Sequence, residues 1–289
     1  MSVPLAYIGV IMIWSTTPLA ILWSGEGAGF IFGLASRMSI GAILALLTAA
    51  VFGYRLKRNR PALQAYMTAG LGIYGSMLPV YWAAQYIPSG WVSLLFGMTP
   101  LFTSLMALRH LEGETLTARK LTGMLLGVAG LAAIFATAIE INSHAAAGIC
   151  AVLLSVVIHS ASAVGIKRIN ADIPSIVLTS GGLAIAAPLL LVTWLLAGPS
   201  LPAEIPAKTA GAIIYLAIFG SVLGFALYYH VLKHVQATRV ALITLITPVM
   251  ALMLGHILND EPLNGKIVTG AFMILAGLLL FESKRRPGK

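Results

Sequence analysis

Long apolar runs follow one another along the whole chain, and each is close to the length that crosses a lipid bilayer. A spanning helix needs about 20 mostly apolar residues. Because the backbone must satisfy its own hydrogen bonds in lipid, runs this long predict helices rather than barrel strands. We predict an all-α membrane protein with ten transmembrane helices, near residues 3–23, 30–53, 63–84, 90–108, 120–138, 145–166, 175–197, 209–229, 240–258 and 266–281.

The composition excludes an ordinary soluble domain. Of the 289 residues, 59% are hydrophobic and 9% are charged, against about 25% charged in soluble domains. The single cysteine, Cys150, excludes an intramolecular disulfide. The first apolar run starts at Val3 with no basic leader and no cleavage site ahead of it, so we expect a retained span.

The positions of the lysines and arginines predict the orientation. With a cytoplasmic N-terminus, fifteen of the 18 Lys and Arg residues fall on the cytoplasmic side. Lys208 and Lys266 fall on the other side, and Arg37 lies within a span. This asymmetry predicts that both termini are cytoplasmic. The net charge of +9 then reflects topology, and we expect no nucleic-acid partner.

The two halves of the chain repeat one pattern. A shift of 145 residues pairs Ser15 with Ser160, Ile21 with Ile166, Gly53 with Gly198, Pro61 with Pro206, Gly75 with Gly220 and Ser76 with Ser221. Shifts of 148 and then 147 pair Thr99-Pro100 with Thr247-Pro248, Glu114 with Glu261, Leu116 with Leu263, Gly123 with Gly270 and Gly130 with Gly277. Such ordered matches predict two repeats, residues 4–138 and 145–282.

Each predicted repeat contains five spans, which is an odd number. The second repeat must therefore enter the membrane from the opposite face, and the two repeats are predicted to be inverted. Inverted repeats are typical of secondary transporters, in which the substrate site lies near the bilayer midplane and the halves rock around it.

Several segments resemble the EamA repeat of the drug/metabolite transporter superfamily. They are the opening IMIWSTTPLAIL with Arg37, and the closing LEGETLTARKLTGMLLGVAG and LNDEPLNGKIVTGAFMILAG that follow each Thr-Pro pair. The resemblance implies ten helices around a central cavity in a bacterial inner (plasma) membrane. It also implies export of amino acids or other small metabolites by alternating access. Uptake of a small organic solute is the alternative, and a non-transport membrane role is the third.

Other chemistries lack their motifs in this sequence. We find no HExxH, no GxSG, no spanning aspartate and no P-loop. We therefore expect no enzyme, no cofactor and no bound metal. The expected partners are a small-molecule substrate and the lipid bilayer, with a proton as one candidate coupling ion. Either a monomer or a homodimer is compatible with ten spans.

Equivalent positions in the two halves carry candidate substrate-binding residues. Trp14 pairs with His159, and each is followed by small hydroxyl residues that include Thr16 and Ser162. A histidine at membrane depth is costly unless it faces protein or water, which favours a place in a cavity or proton relay. The alternative is that His159 and its serine neighbours only join helices.

The third and eighth spans provide a second candidate wall. Tyr74, Tyr81 and Gln85 share one helical face, and the equivalent face of the eighth span ends in His230. Such a face suits a substrate with apolar and polar parts. The tyrosines near span ends, Tyr228 and Tyr229, fit an interfacial belt better.

Arg37, Pro100 and Pro248 complete the set of candidates. Arg37 lies about 10 Å inside its span, where it either binds a substrate carboxylate or snorkels to the interface. The two prolines occupy equivalent points and predict kinks that shape the cavity or act as hinges. No Asp or Glu lies at the centre of a span, and we expect Glu114 and Glu261 to cap the helix that follows each.

Overall fold

The computed structural model describes residues 2–110, 117–141, 143–198, 202, 204–240 and 243–282, and all regular secondary structure in this part is helical. The helices are α1 (Val3–Gly25), α2 (Phe30–Val51), α3 (Arg60–Ala83), α4 (Ser89–Phe96), α5 (Thr99–His110), α6 (Ala118–Ile141), α7 (Ser143–Ile169), α8 (Ser175–Leu196), α9 (Ala207–Tyr215), α10 (Gly224–His234), α11 (Ala237–Val240), α12 (Ile243–Asn259) and α13 (Gly265–Glu282). A π-helical segment, Leu216–Leu223, joins α9 to α10 without a break.

Six stretches of the described residues are helical, long and apolar enough to cross a membrane. They are Val3–Gly25, Phe30–Val51, Ser89–Arg109, His144–Ile169, Ser175–Leu196 and Ala207–His234. The predicted all-α membrane class is therefore confirmed. The count of ten spans and the inversion of the halves stay predictions.

The two repeat-equivalent prolines, Pro100 and Pro248, differ in their local structure. The fourth predicted span is divided into α4 and α5 by a turn at Gly97 and Met98, and Pro100 is the second residue of α5. Proline in a first turn removes an N–H that has no helical partner, so it fits there without a lost bond. Pro248 instead lies inside α12. The two equivalent prolines thus lie in different local settings.

Small residues and hydroxyls let the central helices approach closely. Ser155 on α7 donates to the carbonyl of Ser76 on α3 at 2.7 Å, and Ser180 on α8 donates to the carbonyl of Ala45 on α2 at 2.9 Å. A Cβ added to Gly70 would lie 2.6 Å from Cβ of Ile185. Interfaces of this kind are characteristic of helices packed in lipid, where apolar burial gives little driving force.

Helices α6 and α13 pack on each other through glycines at both ends of their contact. A Cβ on Gly130 would lie 2.6 Å from the carbonyl oxygen of Gly270, and a Cβ on Gly277 would lie 2.5 Å from that of Gly123. The sequence repeat pairs Gly123 with Gly270 and Gly130 with Gly277. Each glycine therefore contacts a glycine of the other repeat-equivalent pair: Gly130 meets Gly270, and Gly123 meets Gly277. This arrangement is expected when two equivalent helices pack antiparallel.

Glu261 caps α4, a helix far from it in the sequence, and no sequence pattern indicates this contact. Its carboxylate accepts from the backbone N–H groups of Ser89 and Gly90 at 2.9 and 3.0 Å, so it caps α4. The expectation that it caps the following helix, α13, is wrong, because Asn264 does so by accepting from Ile267. Glu114, the repeat equivalent, lies outside the described residues.

Candidate functional site

A cavity lies inside the bundle, at the level of the middle of α1. The space open to the centres of water molecules is about 70 Å³. Its lining comes from α1, α2, α3, α4, α7, the π-helical segment, α10 and α12. The residues are Trp14, Thr17, Pro18, Ile21, Arg37, Met77, Val80, Val92, Ser93, Phe96, His159, Gly220, Phe225 and Thr247. Both halves of the chain contribute, so neither half could form this space alone.

Aromatic rings cluster at one end of the cavity. The ring centroid of His159 lies 5.8 Å from that of Trp14, 6.0 Å from that of Phe96 and 5.3 Å from that of Tyr228. Trp14 and Tyr228 also pack on each other at 5.0 Å. We call Trp14, Phe96, His159 and Tyr228 the aromatic cluster. Rings at these distances and tilts attract one another and offer a flat, mostly apolar surface to a substrate.

Arg37 supplies the only charge among the described lining residues, apart from any proton on His159. Its side chain is buried, with 1% of its surface exposed. Nε donates to the hydroxyl of Ser221 at 3.0 Å, and Nη1 donates to the hydroxyl of Tyr81 at 3.2 Å. Arg37 therefore does not snorkel to the interface. It is fixed by two neutral hydroxyls and held against the cavity.

Gly220 opens the cavity toward the guanidinium. A Cβ at this position would lie 2.8 Å from Nη2 of Arg37. Gly220 belongs to the π-helical segment, which also carries Ser221. Segments of π-helix often occur at functional sites, because the wider turn changes which side chains point inward. Here the wide turn brings a glycine and a serine to the same guanidinium.

Few other polar groups reach the cavity. Thr17 donates to the carbonyl of Ile13 at 2.8 Å, which leaves its oxygen as an acceptor. Ser93 and Thr247 line the wall with side chains that are 3% exposed. Among the described residues, no group of three or more His, Cys, Asp or Glu could hold a metal ion. A ligand of this cavity would be held by apolar contact, a few hydroxyls and one cation.

The structure gathers part of the predicted set at this cavity. Trp14, Arg37 and His159 line it, and Tyr81 is buried behind Arg37 as its hydrogen-bond partner. Tyr81 also accepts a hydrogen bond from Ser24 at 3.4 Å. The predicted wall on α3 thus contributes through Tyr81 alone, by positioning the guanidinium.

The other predicted residues lie outside the cavity lining. Tyr74 is hydrogen-bonded to Thr193, Gln85 is exposed and donates to the carbonyl of Trp82, Ser162 donates to the carbonyl of Thr68, and His230 lies against His234 with ring centroids 4.5 Å apart. Thr16 is hydrogen-bonded to Tyr215 in a separate groove between α1, α9 and α12. None of them is among the residues that line the central cavity, although Ser162 lines a small neighbouring pocket that shares His159 and Phe225 with it.

Sequence reasoning missed most of the apolar lining. Phe96 and Phe225 have no polar tip, and the interfacial belt predicted for Tyr228 does not indicate that its ring packs on His159. One signal was available, because the shift of 145 pairs Val80 with Phe225 and both line the cavity. Applying the repeat to apolar positions would have found that pair.

Comparison with known proteins identifies relatives along the full length of the chain. The model of the EamA-like transporter family matches residues 1–136 and again residues 146–282. An uncharacterized transporter of Archaeoglobus fulgidus is 27% identical over 81% of this chain and 82% of its own. A probable terminal-alkyne amino-acid exporter of Streptantibioticus cattleyicolor is 24% identical over 96% and 93%. The uncharacterized inner membrane transporter YedA of Escherichia coli is 25% identical over 96% and 92%.

A solved crystal structure has the same fold. It aligns with a TM-score of 0.74 and 21% identity, and the match covers 98% of each chain. At this identity the likeness establishes the arrangement of the helices and carries no information on substrate.

Proposed function

The chain belongs to the EamA-like transporter family, and from this premise we propose that it is a secondary transporter of a small organic metabolite, an amino acid or a related compound. It acts in the bacterial inner (plasma) membrane, where the relative YedA is named as an inner membrane transporter. The observation that carries the proposal is the central cavity. It is enclosed by helices from both halves and combines aromatic walls with one buried cation.

Alternating access is the mechanism that these features favour. Trp14 meets His159, its repeat equivalent, and the glycine contacts of α6 with α13 cross-connect two repeat-equivalent pairs. We propose that the two halves are inverted repeats, with boundaries near 4–138 and 145–282, and that they rock around the cavity. Both termini then lie in the cytoplasm.

Polar contacts between the halves hold both ends of the bundle. Where α1 ends, Trp23 donates to Asn259 at 3.0 Å and Glu261 caps α4. Where α1 begins, Tyr7 donates to the carbonyl of Arg239 at 3.1 Å. We propose that these two groups of contacts break in turn as the cavity opens to one side and then to the other.

Within the second half, polar contacts also hold α7 and the loop after it to α10 at the end where α1 begins. Lys167 donates to the carbonyls of Leu232 and Val235 at 2.7 and 2.8 Å, which caps the end of α10. Lys233 donates to the carboxylate of Asp172 at 3.2 Å. This hydrogen bond and the charges of Lys233 and Lys57 lower the pKa of Asp172 below its usual value. Asp172 is ionised at neutral pH in any case, and the lowered pKa extends the contact to more acidic pH.

Export is the direction that the relatives favour, because one of them is named as an amino-acid exporter. Uptake of a small organic solute is the second candidate direction, since the cavity itself fits either. Measuring flux in inside-out and right-side-out vesicles with the same gradient would distinguish the two.

Proton coupling through His159 is a separate hypothesis. His159 is the one titratable imidazole in the described lining. Replacing it with Gln removes the titration but keeps a polar side chain. If His159 carries the coupling proton, flux in the variant no longer responds to a pH gradient while counterflow at equal pH persists. An unchanged response would remove His159 from the coupling step.

Counterflow in proteoliposomes tests the proposed function. Vesicles containing the purified protein are loaded with a mixture of unlabelled amino acids and small metabolites, and uptake of single labelled compounds is followed without a gradient. We expect at least one compound to accumulate above the level in protein-free liposomes. The absence of accumulation across a broad panel, with the protein folded, would argue against a carrier and for a non-transport role.

A further inference from the structure

The buried charge of Arg37 has no acidic partner in the helices around it. No Asp or Glu occurs in the sequence between Glu26 and Glu112 or between Glu204 and Asp260. Helix α1 and helix α7 also contain none. The guanidinium is nevertheless buried, with 1% of its surface exposed. A buried charge is costly unless it is paired, so the empty cavity holds one positive charge that its own walls leave uncompensated.

The hydrogen bonds of Arg37 leave one edge of the guanidinium for a ligand. Nε–H and one N–H of Nη1 are used by the hydroxyls of Ser221 and Tyr81, so three of the five guanidinium N–H groups remain for a ligand. Nη2 lies beside Gly220, where even a Cβ would come within 2.8 Å. Both Arg37 and Gly220 line the cavity. A carboxylate is the group that a guanidinium binds best through two parallel hydrogen bonds.

The aromatic cluster lies at a matching distance from this edge. Gly220 and Gly224 are four residues apart, which is about 6 Å along a helix. Their Cβ positions lie 2.8 Å from Nη2 of Arg37 and 3.5 Å from Nε1 of Trp14, respectively. A molecule with its carboxylate at Arg37 would therefore place a ring or chain two or three carbons away against Trp14 and its neighbours.

Of the compounds proposed above, a free α-amino acid fits this arrangement poorly, and a related compound without the amine fits better. Its ammonium is attached to the carbon next to the carboxylate, so it would lie within about 5 Å of the guanidinium, where like charges repel. No acidic side chain of the surrounding helices could bind the ammonium. A zwitterion would also leave the loaded cavity with a net positive charge, whereas a monocarboxylate makes it neutral.

Building on the proposed transport function, we propose that the cavity selects organic monocarboxylates that carry no charged amine beside the carboxylate. Arylalkanoic acids, 2-oxo acids with an apolar side chain and N-acylated amino acids belong to this class. Arg37 binds the carboxylate, Gly220 gives access to Nη2, and the aromatic cluster holds the apolar part.

Three probes that share a phenylethyl group test this selectivity. 3-Phenylpropionate, L-phenylalanine and 2-phenylethylamine have the same ring and chain and differ only in their charged groups. We expect counterflow of labelled 3-phenylpropionate at pH 8 to exceed that of L-phenylalanine at least tenfold, with no counterflow of 2-phenylethylamine. Protein-free liposomes give the leak of each probe.

The outcomes separate this inference from the transport function. Equal or faster counterflow of L-phenylalanine would overturn the selectivity and leave a carrier in place. Counterflow of unrelated solutes without 3-phenylpropionate would do the same. If no compound moves, binding of 3-phenylpropionate to the detergent-solubilised protein, followed by tryptophan fluorescence, decides. Binding at least tenfold tighter than that of L-phenylalanine supports the carboxylate site without transport, and equal or absent binding overturns it.

Variants at two positions assign the effect to the guanidinium. Arg37→Gln removes the charge and is expected to lower the affinity for 3-phenylpropionate at least tenfold. Gly220→Ala keeps the charge but places a methyl group against Nη2, and the same loss is expected. Gly211→Ala on α9 is the matched control, because no atom lies within 4 Å of its added Cβ. Wild-type affinity in folded Gly220→Ala and Arg37→Gln proteins would overturn the assignment.

Discussion

Trp14 and His159 meet edge to face at the central cavity, with ring centroids 5.8 Å apart and an angle of 71° between the rings. The sequence repeat places them at equivalent points of the two halves, 145 residues apart. One pair of equivalent positions thus becomes two adjoining walls of one site. This is the geometry expected where two similar halves share a binding site between them.

Removing the Trp14 ring should weaken substrate binding. Trp14 lines the cavity and is held by His159 and Tyr228, and a substrate ring that packs on it would gain about 0.5–1.5 kcal/mol beyond the buried area. We expect Trp14→Ala to raise the apparent KM for a counterflow substrate by about three- to tenfold, from the same energies. Trp14→Phe should restore part of the affinity.

Trp194 provides a control for the loss of a large ring. It packs on Phe32 with ring centroids 6.0 Å apart and lies outside the cavity lining. Trp194→Ala is expected to leave the KM unchanged. A rise in KM equal to that of Trp14→Ala would mean that the aromatic cluster does not bind the substrate.

Glu261 should stabilise the fold more than an exposed acidic residue does. Its carboxylate is 7% exposed and accepts two backbone N–H bonds at the start of α4. Leaving such groups unpaired costs about 1–3 kcal/mol. We expect Glu261→Ala to lower the free energy of unfolding in detergent by about that amount, measured by chemical denaturation.

Glu26 is the matched control for Glu261. It pairs with Lys208 at 3.0 Å, but the two side chains are 42% and 48% exposed. Exposed ion pairs contribute about 0–1 kcal/mol, so Glu26→Ala should have a small effect. Equal losses in the two variants would show that the buried cap on α4 adds no more stability than the exposed ion pair of Glu26 with Lys208.

The sequence was informative where a polar atom or a glycine had to be placed in an apolar helix. Trp14, Arg37 and His159 were found because a polar group at membrane depth requires a partner or a cavity. Phe96 and Phe225 could not be found in this way. A spanning helix is apolar on its lipid face and on its buried face, so hydropathy does not show which side faces inward.

Two further differences have specific physical causes. The predicted span ends at Tyr229, which puts Tyr228 in the interfacial belt, but α10 continues to His234 and the ring of Tyr228 packs on His159. The partner of Glu261 is 172 residues away at Ser89. No local pattern reports a contact of that separation, whereas the local cap of α13 by Asn264 follows an ordinary spacing of three residues.

Cysteine labelling tests the predicted orientation of the chain. In a Cys150→Ala background, Lys208→Cys and Lys57→Cys each introduce one thiol at an exposed loop or helix end. With a cytoplasmic N-terminus, a membrane-impermeant maleimide should label Lys208→Cys in intact cells and Lys57→Cys only after the membrane is opened. The opposite pattern would invert the topology and exchange the two faces of the transporter.

The glycine contact between α6 and α13 predicts a substitution that should be costly although it adds one methyl group. In Gly277→Ala, the new Cβ would lie 2.5 Å from the carbonyl oxygen of Gly123, which is backbone and cannot rotate away. Forcing two packed helices apart typically costs about 1–3 kcal/mol. We expect Gly277→Ala to lower the free energy of unfolding by that amount. The control is Gly211→Ala, whose added Cβ meets no atom within 4 Å; it should leave the free energy of unfolding unchanged or raise it by up to about 1 kcal/mol through helix propensity.

The same close approach occurs at Gly130, where an added Cβ would lie 2.6 Å from the carbonyl oxygen of Gly270. Gly130→Ala should therefore lower the free energy of unfolding as much as Gly277→Ala does. A neutral Gly277→Ala beside a costly Gly130→Ala would show that the two ends of the contact are not equivalent and would weaken the proposal of inverted repeats.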